Sequence, residues 1–423
     1  MTGTATAPPA RPGTFASLKI RNYRLFFWGQ LVSVSGTWLQ GTAQAWLVLK
    51  QLKGGAGALG LLAGLMMAPT LLFGLWAGVL ADRYDRRKLV MATNTWAALM
   101  AGVLAVLTLT GTVRLWMVFV VAFATGLSNA VEMPTRQAFV SELVPTSHVQ
   151  NAVGLNSATF NGGRVFGPAI AGLLILLVGT GWCFAINGAS FVAVIIGLSL
   201  MRDAEMYPRP RAPRARGQIR EGVRYAWSSP VLRSTLVLVL IVGLFTLNFQ
   251  VFLPLMAKEV FHGGAGMVGL FSAMQGAGAL VASLVLARRR TFTPGLLAVC
   301  TTACGASLIG MALAPWLWLE LALVAASGAG FIAMMLTANA TLQLNSEPHT
   351  RGRVMALYVM MFGGTTPFGA PLLGYISDHL GARSGTAVAG AAALVAAVLL
   401  PVVRRAAERS VVTDAIVEPS LVG

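Results

Sequence analysis

A short charged stretch, GVLADRYDRRKL at residues 78–89, lies between two apolar runs at residues 58–81 and 89–110. Each run is long enough to cross a bilayer, because a helix needs about 20 residues to span the hydrocarbon layer. A turn this short joins two antiparallel helices at the same membrane surface. The stretch therefore predicts helices that cross a membrane and reverse direction in charged turns.

The composition extends this prediction to the whole chain of 423 residues, of which 56% are hydrophobic and 11% charged. A soluble domain carries about 25% charged residues, so this chain lacks the polar surface of a soluble globule. Membrane β-strands would appear as segments of about ten residues with alternating polarity, and the runs here are longer and apolar throughout. We therefore predict an all-α membrane protein with twelve transmembrane helices. The apolar runs span residues 25–49, 58–81, 89–110, 115–133, 150–178, 181–201, 234–257, 266–286, 294–314, 316–338, 354–376 and 386–403.

The basic residues indicate how the helices are oriented. The net charge is +17, from 31 Lys and Arg against 14 Asp and Glu. If the N-terminus is cytoplasmic, 25 of the 31 basic residues fall in connections on the cytoplasmic side and five on the other. Loops rich in Lys and Arg remain in the cytoplasm, so both termini are expected inside. The positive charge then reflects membrane orientation, and no nucleic acid partner is expected.

The chain divides into two halves of six predicted helices each. GPAIAG at residues 167–172 and GAPLLG at residues 369–374 stand 202 residues apart. Two related six-helix bundles are the layout of a rocking transporter, although glycine and proline also recur by chance in apolar helices that pack closely. We expect a cytoplasmic N-terminal segment at 1–24, bundles at 25–201 and 234–403, an Arg- and Pro-rich cytoplasmic linker at 202–233, and a cytoplasmic tail at 404–423.

The turn at residues 78–89 resembles the loop motif of the major facilitator superfamily. Its Asp-Arg-Arg at residues 85–87 is similar to the branch that contains enterobactin exporters and macrolide efflux proteins, the transmembrane secretion effectors. Residues 134–145 and 161–172 resemble the same branch. The resemblance implies the major facilitator fold, a location in the bacterial plasma membrane, and export of drugs or siderophores driven by proton exchange.

The same resemblance implies a gate at the cytoplasmic edge. Gly78 would allow close packing, Asp82 would be the gating carboxylate, and Glu132 at the end of the fourth helix would pair with Arg86. The alternative is that these charges only anchor the turn on the cytoplasmic side. The predicted gating residues are Gly78, Asp82, Arg83, Arg86 and Glu132.

The fifth helix resembles the antiporter signature of the superfamily, which is associated with exporters; the alternative is generic close packing of glycines. The predicted motif comprises Gly163, Arg164, Gly167, Pro168 and Gly172. Arg164 lies about 14 residues into its helix and hence near the bilayer midplane, where an arginine must face protein or water. It is either a structural arginine bound by helix carbonyls and neighbours such as Asn161, or a cavity cation that binds anionic substrate groups or modulates a nearby carboxylate.

Polar side chains mark a predicted substrate cavity. Five of them recur in the first helix at steps of three and four, so they share one helical face. Lipid cannot satisfy such a face, which should therefore look into the protein or a wet cavity. The alternative is hydrogen bonding between helices without substrate. The predicted cavity residues are Gln30, Ser33, Thr37, Gln40 and Gln44 in the first half, and Thr246, Gln250 and Gln275 in the second.

Glu320 is the carboxylate placed most clearly inside a predicted helix of the second half. It is a possible proton site that loads from outside. It is equally interpretable as an interfacial carboxylate beside Trp316 and Trp318, whose rings favour that depth.

The sequence shows no glycine-rich phosphate-binding loop and no gathered set of catalytic or metal-ligating residues, so neither a cofactor nor enzymatic activity is expected. The predicted function is a secondary active transporter, acting as a monomer, that exports small amphiphiles by alternating access and proton antiport. Its expected partners are a small-molecule substrate of the drug, macrolide or siderophore type, protons and membrane lipids. The alternatives are a transporter of lysophospholipids or other lipid-like amphiphiles, and a non-transporting membrane receptor or scaffold.

Overall fold

The computed structural model describes residues 15–207, 218–289, 291–347 and 350–417. Side chains are described for these residues except Leu75, Asp82, residues 218–222 and residues 403–417. The predicted N-terminal segment, linker and tail therefore lie partly outside the described ranges.

Helices account for the regular secondary structure of the described residues. The first half contains α1 (Arg21–Trp46), which continues as a π-helical turn (Leu47–Gln51), then α2 (Gly55–Arg83), α3 (Arg86–Leu109), α4 (Leu115–Glu142), α5 (Val149–Val178) and α6 (Thr180–Ser199). The linker contains α7 (Gln218–Ser228). The second half contains α8 (Pro230–Phe245), α9 (Phe249–Leu255), a second π-helical turn (Met256–Val260), α10 (Ala265–Ala287), α11 (Pro294–Leu313), α12 (Leu317–Leu344), α13 (Arg351–Gly363), α14 (Thr366–Leu380) and α15 (Ala382–Val417).

These helices make twelve membrane crossings in the described chain, as the sequence predicts. Ten segments are long and apolar enough to cross a membrane by those criteria alone. One of the other two crossings is α1, whose polar stripe consists of the side chains of Gln30, Ser33, Thr37, Gln40 and Gln44. The other is the pair α13 and α14, which is interrupted at Gly364 and Thr365. The seventh crossing is also broken, because α8 ends at Phe245 and α9 begins at Phe249.

The backbone repeats between the two halves. Lys53 and His262 are the two described non-glycine residues with positive φ, at 52° and 50°. They follow the two π-helical turns and open the similar stretches KGGAG at residues 53–57 and HGGAG at residues 262–266. Gly179 and Gly381, with φ of 87° and 90°, end α5 and α14 at the 202-residue offset of the repeated glycine-proline motif. The fold is therefore two pseudo-symmetric six-helix bundles.

The two bundles meet chiefly along α2 with α14 and α5 with α10. Glycine makes this close approach possible: a Cβ at Gly60 would clash with the backbone carbonyl of Ala370, and one at Gly269 would meet the carbonyl oxygen of Pro168 at 2.6 Å. Small residues allow helix backbones to approach closely, and membrane helices associate largely through such packing. The interface between the halves therefore depends on small residues at defined positions.

The contacts between the halves are concentrated toward one end of the molecule. We call the end with the 84–85 turn and the linker the linker end, and the end with residues 52–54 and 261–264 the distal end. The close approaches of α2 to α14 involve residues 57–64 and 367–378, toward the distal end. Those of α5 to α10 run from the distal end to about mid-helix, at Arg164 and Gly276. The structure is therefore held closed at the distal end.

Candidate substrate cleft and gates

A cleft lies between the two halves, bounded by α1, α5, α9 and α10. Its accessible volume is about 50 Å³ in this conformation. Apolar walls come from Phe249, Leu253 and Val268, and polar groups come from Arg164 and Gln275. A concave, mostly apolar site with a few polar groups is typical of small-molecule binding.

Three predicted cavity residues line this cleft. Gln250 and Gln275 do so directly, and Gln44 lines a smaller adjoining pocket that shares Gln250. Thr37 has an exposed side chain on the helical face that continues to Gly41, a lining residue of both pockets. These positions therefore combine side chains from both halves at one site.

Three other predicted cavity residues are buried within the bundles. Gln40 is buried, and its Oε1 accepts a 2.7 Å hydrogen bond from Asn187 of α6. It does not line the cleft, contrary to the prediction. Thr246 donates to the backbone carbonyl of Ala389 in α15, and Ser33 is buried within the bundle. At about 100° per residue the polar stripe of α1 covers roughly 80°, so one edge of it meets α6.

Gln30 belongs to a polar group near the linker end. Arg136 Nη1 donates a 3.1 Å hydrogen bond to Gln30 Oε1. The Nε atom of the same arginine lies 3.5 Å from Glu132 Oε1. The predicted Arg86–Glu132 pair is therefore wrong in this conformation. Glu132 lies one helical turn before Arg136, which makes the local pair the shorter connection.

Arg86 instead pairs with Glu142 at the end of α4. Arg86 Nη1 and Glu142 Oε1 are 2.5 Å apart, and their side chains are only 11% and 14% exposed. Glu142 was not predicted as a partner of Arg86, because Glu132 was the carboxylate at the predicted end of the fourth span. The structure continues α4 for nine residues beyond Met133, where that span was expected to end, and this carries Glu142 to Arg86.

The rest of the charged turn stabilises helix ends within the first half. Asp85 caps α3 by accepting a hydrogen bond from the Lys88 amide. Arg87 pairs with Asp203 and donates to the carbonyl of Leu198 at the end of α6. Gly78 is half-buried and Arg83 is exposed. The predicted role of Asp82 concerns a side chain outside the described set.

The glycines of α5 allow close packing on two sides. A Cβ at Gly163 or Gly167 would collide with α1, at Val34 and Ser35 respectively, and one at Gly172 would press on the α10 backbone. Pro168 is buried and lines the cleft. The motif therefore holds α5 between α1 and α10.

Arg164 projects into the cleft from this helix. Its guanidinium carbon lies 5.6 Å from the centre of the Trp38 ring, and its Nε is buried without a hydrogen-bond partner. Asn161, the neighbour expected to bind it, donates instead to the backbone carbonyl of Ser157. Among the described side chains, no carboxylate forms an ion pair with Arg164.

Glu320 lies apart from the cleft, in the first turn of α12 at the distal end. Its side chain is 0% exposed and both carboxylate oxygens lack hydrogen-bond partners among the described residues. Arg383 of α15 donates hydrogen bonds to the backbone carbonyls of Ala312 and Ala314, before the start of α12. The adjacent Trp318 is exposed, so Glu320 turns inward while the indole rings turn outward.

Two second-half side chains hold the first half at the distal end. Asp378 on α14 accepts 2.6 Å hydrogen bonds from the backbone amides of Ala56 and Gly57 at the start of α2. Lys258 Nζ donates a 2.9 Å bond to the carbonyl of Leu49 in the π-helical turn after α1. A carboxylate at a helix N-terminus and a cation at a helix C-terminus are both favourable. We call these two contacts the distal clamp; no sequence pattern pointed to them.

Two six-helix bundles around a central cleft define a transporter of the major facilitator type. The chain belongs to the transmembrane secretion effector family, whose model matches residues 12–419. The resemblance read from the turn at residues 78–89 is thereby confirmed, and the chain is a multi-pass membrane protein.

Characterised and uncharacterised bacterial transporters are similar in sequence. The staphyloferrin A transporter of Staphylococcus aureus is 25% identical over 85% of this chain and 90% of its own. Macrolide efflux protein A of Streptococcus pyogenes is 22% identical over 91% of this chain and 97% of its own. The uncharacterised transporter YfiS of Bacillus subtilis is 29% identical, and the match spans 62% of each chain.

Solved structures show the same fold at lower identity. A bacterial homologue of the iron transporter ferroportin, crystallised in an inward-facing state, superposes with a TM-score of 0.70. The match is 16% identical and covers 91% of this chain and 98% of that chain.

Proposed function

We propose that this protein exports small amphiphilic molecules across the bacterial plasma membrane by alternating access, in exchange for protons. The observation that carries the proposal is a cleft shared by both halves and closed toward the distal end by the distal clamp. Relatives named for staphyloferrin A transport and macrolide efflux support a substrate of drug, macrolide or siderophore type.

The proposed orientation places the linker end in the cytoplasm. It is supported by the basic residues, 25 of which lie on that side of the twelve crossings. Loops rich in Lys and Arg are retained inside. In this orientation both termini are cytoplasmic, the distal clamp is the external gate, and the cleft receives substrate from the cytoplasm.

The proposed internal gate lies at the charged turn and comprises Gly78, Asp82, Arg83, Arg86 and Glu132, with Glu142 added as the partner of Arg86. The described ion pairs here join helices within the first half. Closing the linker end would bring the second half against this surface, and opening the distal end would break the clamp contacts. Each half would move as a rigid body around the cleft.

The proposed proton site is Glu320. A buried carboxylate without hydrogen bonds is costly when charged, so its protonation depends strongly on the conformation around it. Its position at the distal end is suited to proton uptake from outside. Because Glu320 lies away from the cleft, protonation would act on transport through packing of α11, α12 and α15 and not by displacing substrate.

Transport is tested in everted membrane vesicles from an efflux-deficient bacterial strain expressing the protein. We expect uptake of labelled amphiphiles, from a panel of anionic, neutral and macrolide compounds, when respiration energises the vesicles. An uncoupler should abolish the uptake, and vesicles without the protein should show none. Uptake of lysophospholipid alone would instead support the lipid transporter, and binding without any uptake would support a receptor.

A further inference from the structure

Among the residues that the structure describes, the central cleft contains a cation without a matching charge. Arg164 lines the cleft near the middle of the molecule, and the lining residues include no Asp or Glu. Two described carboxylates of the first half are already engaged, Glu132 with Arg136 and Glu142 with Arg86. Glu320 is buried in the first turn of α12 and does not line the cleft.

Trp38 compensates this cation only in part. Its ring centre is 5.6 Å from the Arg164 guanidinium, within the range of a cation–π contact. The contact covers one face of the guanidinium and uses none of its N–H groups. The buried Nε remains without an acceptor, and a buried donor without a partner is unfavourable. The position therefore favours a ligand that supplies acceptor oxygens.

The surroundings of Arg164 match an amphiphile. Phe249, Leu253 and Val268 provide an apolar wall, and Gln250 and Gln275 provide amide groups in the same cleft. Gln275 Nε2 is also buried without a hydrogen-bond partner. A planar guanidinium binds carboxylate, sulfonate and phosphate groups with two parallel hydrogen bonds. The two unsatisfied donors thus form a site for the polar head group of an amphiphile, and the apolar wall beside them forms a site for its apolar part.

We propose that Arg164 is the anion-recognition residue of the cleft and that the substrates are amphiphiles bearing an organic oxyanion. This inference rests on the proposed function. The oxyanion binds the guanidinium, the Gln275 amide donates to it, and the apolar body packs on Phe249 and Leu253. Lipophilic cations are disfavoured, because they would meet Arg164 without a counter-charge.

Three probes of equal shape test the class of ligand. They are 4-pentylbenzenesulfonate, which is an anion, the neutral 4-pentylbenzenesulfonamide, and the cation 4-pentylphenyltrimethylammonium. Binding to the purified full-length protein in detergent is measured by calorimetry. We expect the sulfonate to bind at least about tenfold more tightly than the sulfonamide, as for a charge-assisted pair. We expect the cation to bind most weakly.

Arg164→Gln should abolish the preference for the sulfonate and leave sulfonamide affinity within about twofold. Arg164→Lys should retain part of the preference, because it keeps the charge and loses the two-pronged geometry. The matched control is Arg114→Gln, which removes the same charge from an exposed arginine at the distal end. It should leave all three affinities unchanged, and melting temperatures identify any variant that is misfolded.

The proposal is overturned if the wild-type protein binds the cation as tightly as the sulfonate, or if none of the three probes binds. It is also overturned if Arg164→Gln weakens sulfonate and sulfonamide equally, since Arg164 would then be structural. Transport of the sulfonate into everted vesicles is a separate readout. Binding that depends on Arg164 without any transport would refute the exporter and leave the oxyanion site in place.

Discussion

Asp378 accepts a 2.6 Å hydrogen bond from the backbone amide of Ala56, so a side chain of the second half caps a helix of the first. Its other carboxylate oxygen accepts an equally short bond from the Gly57 amide. The first amides of a helix have no partner within the helix. Separation of the halves at the distal end would return these amides to water, and Asp378 therefore couples helix capping to gate closure.

Replacing Asp378 with Asn should shift the protein toward the state that is open at the distal end. The variant loses the charge at the helix N-terminus and one of the two acceptor oxygens. We expect the state with a closed distal end to lose about 1 kcal/mol of stability relative to the open state. The ratio of the two states would then change roughly fivefold.

The shift is measured by spin-label distances between Thr112→Cys in the first half and Pro315→Cys in the second, both in distal connections. The native cysteines, Cys183, Cys300 and Cys304, are buried. Glu259→Gln, which neutralises an exposed carboxylate at the same end, is the control. An unchanged distance distribution in Asp378→Asn would show that the clamp does not set the conformational balance.

Glu142, and not Glu132, should carry the stabilising interaction with Arg86. The Arg86–Glu142 pair is mostly buried, so removing one partner leaves an uncompensated charge. We expect Glu142→Gln to lower the free energy of unfolding by about 1–3 kcal/mol, and Glu132→Gln, whose local pair is longer, by less than about 1 kcal/mol. Thermal unfolding of the detergent-solubilised variants makes the comparison. A double-mutant cycle showing stronger coupling of Arg86 with Glu132 would restore the pairing inferred from sequence.

Gly60→Val should stop transport without preventing membrane insertion. Its side chain would collide with the Ala370 carbonyl and Pro371 on α14, so the halves could not close at the distal end. We expect at least about a hundredfold loss of the transport rate, because an overpacked interface of this kind cannot relax without moving the backbone. Gly74→Val on the same helix is the matched control, since a Cβ there meets nothing within 4 Å. Normal transport by Gly60→Val would show that close packing at this contact is not required for transport.

Glu320→Gln should uncouple transport from the proton gradient. If Glu320 carries the proton, uphill efflux in energised everted vesicles should fall by at least about tenfold, and exchange of labelled for unlabelled substrate at equal pH should continue. An amide at a site without hydrogen-bond partners also avoids a buried charge, so the variant should be no less stable than the wild type. Loss of both energised transport and exchange would indicate a packing role, and unchanged energised transport would remove Glu320 from the coupling mechanism.

The apolar runs and the basic connections were sufficient to predict the number and order of the helices. The apolar runs succeed because membrane thickness sets helix length. Contacts between helices were harder to predict. Gln40 shares a face with Gln44, yet a few tens of degrees of rotation place it against Asn187 of α6. The partner of Arg86 depended on where α4 ends, which is the least reliable part of a sequence-based prediction.

The distal clamp was missed for a related reason. Asp378 and Lys258 lie near the ends of predicted helices, where charged residues usually face water. The sequence shows that both are at the same membrane surface, but not which helix end each one meets. Arg164 was recognisable because an arginine at mid-membrane depth is unusual by itself. Its environment beside Trp38, with no carboxylate among the described residues that line the cleft, required the structure.

The matched left-handed residues Lys53 and His262, and the paired glycines at 179 and 381, carry an evolutionary meaning. Backbone irregularities that recur at fixed offsets are what two copies of one six-helix unit would share, and many transporter folds are built from such internal repeats. The two halves do not match at every functional position. Asp378 has Leu176 as its counterpart 202 residues earlier, so the carboxylate of the distal clamp is present in one half and a hydrophobic residue takes its place in the other.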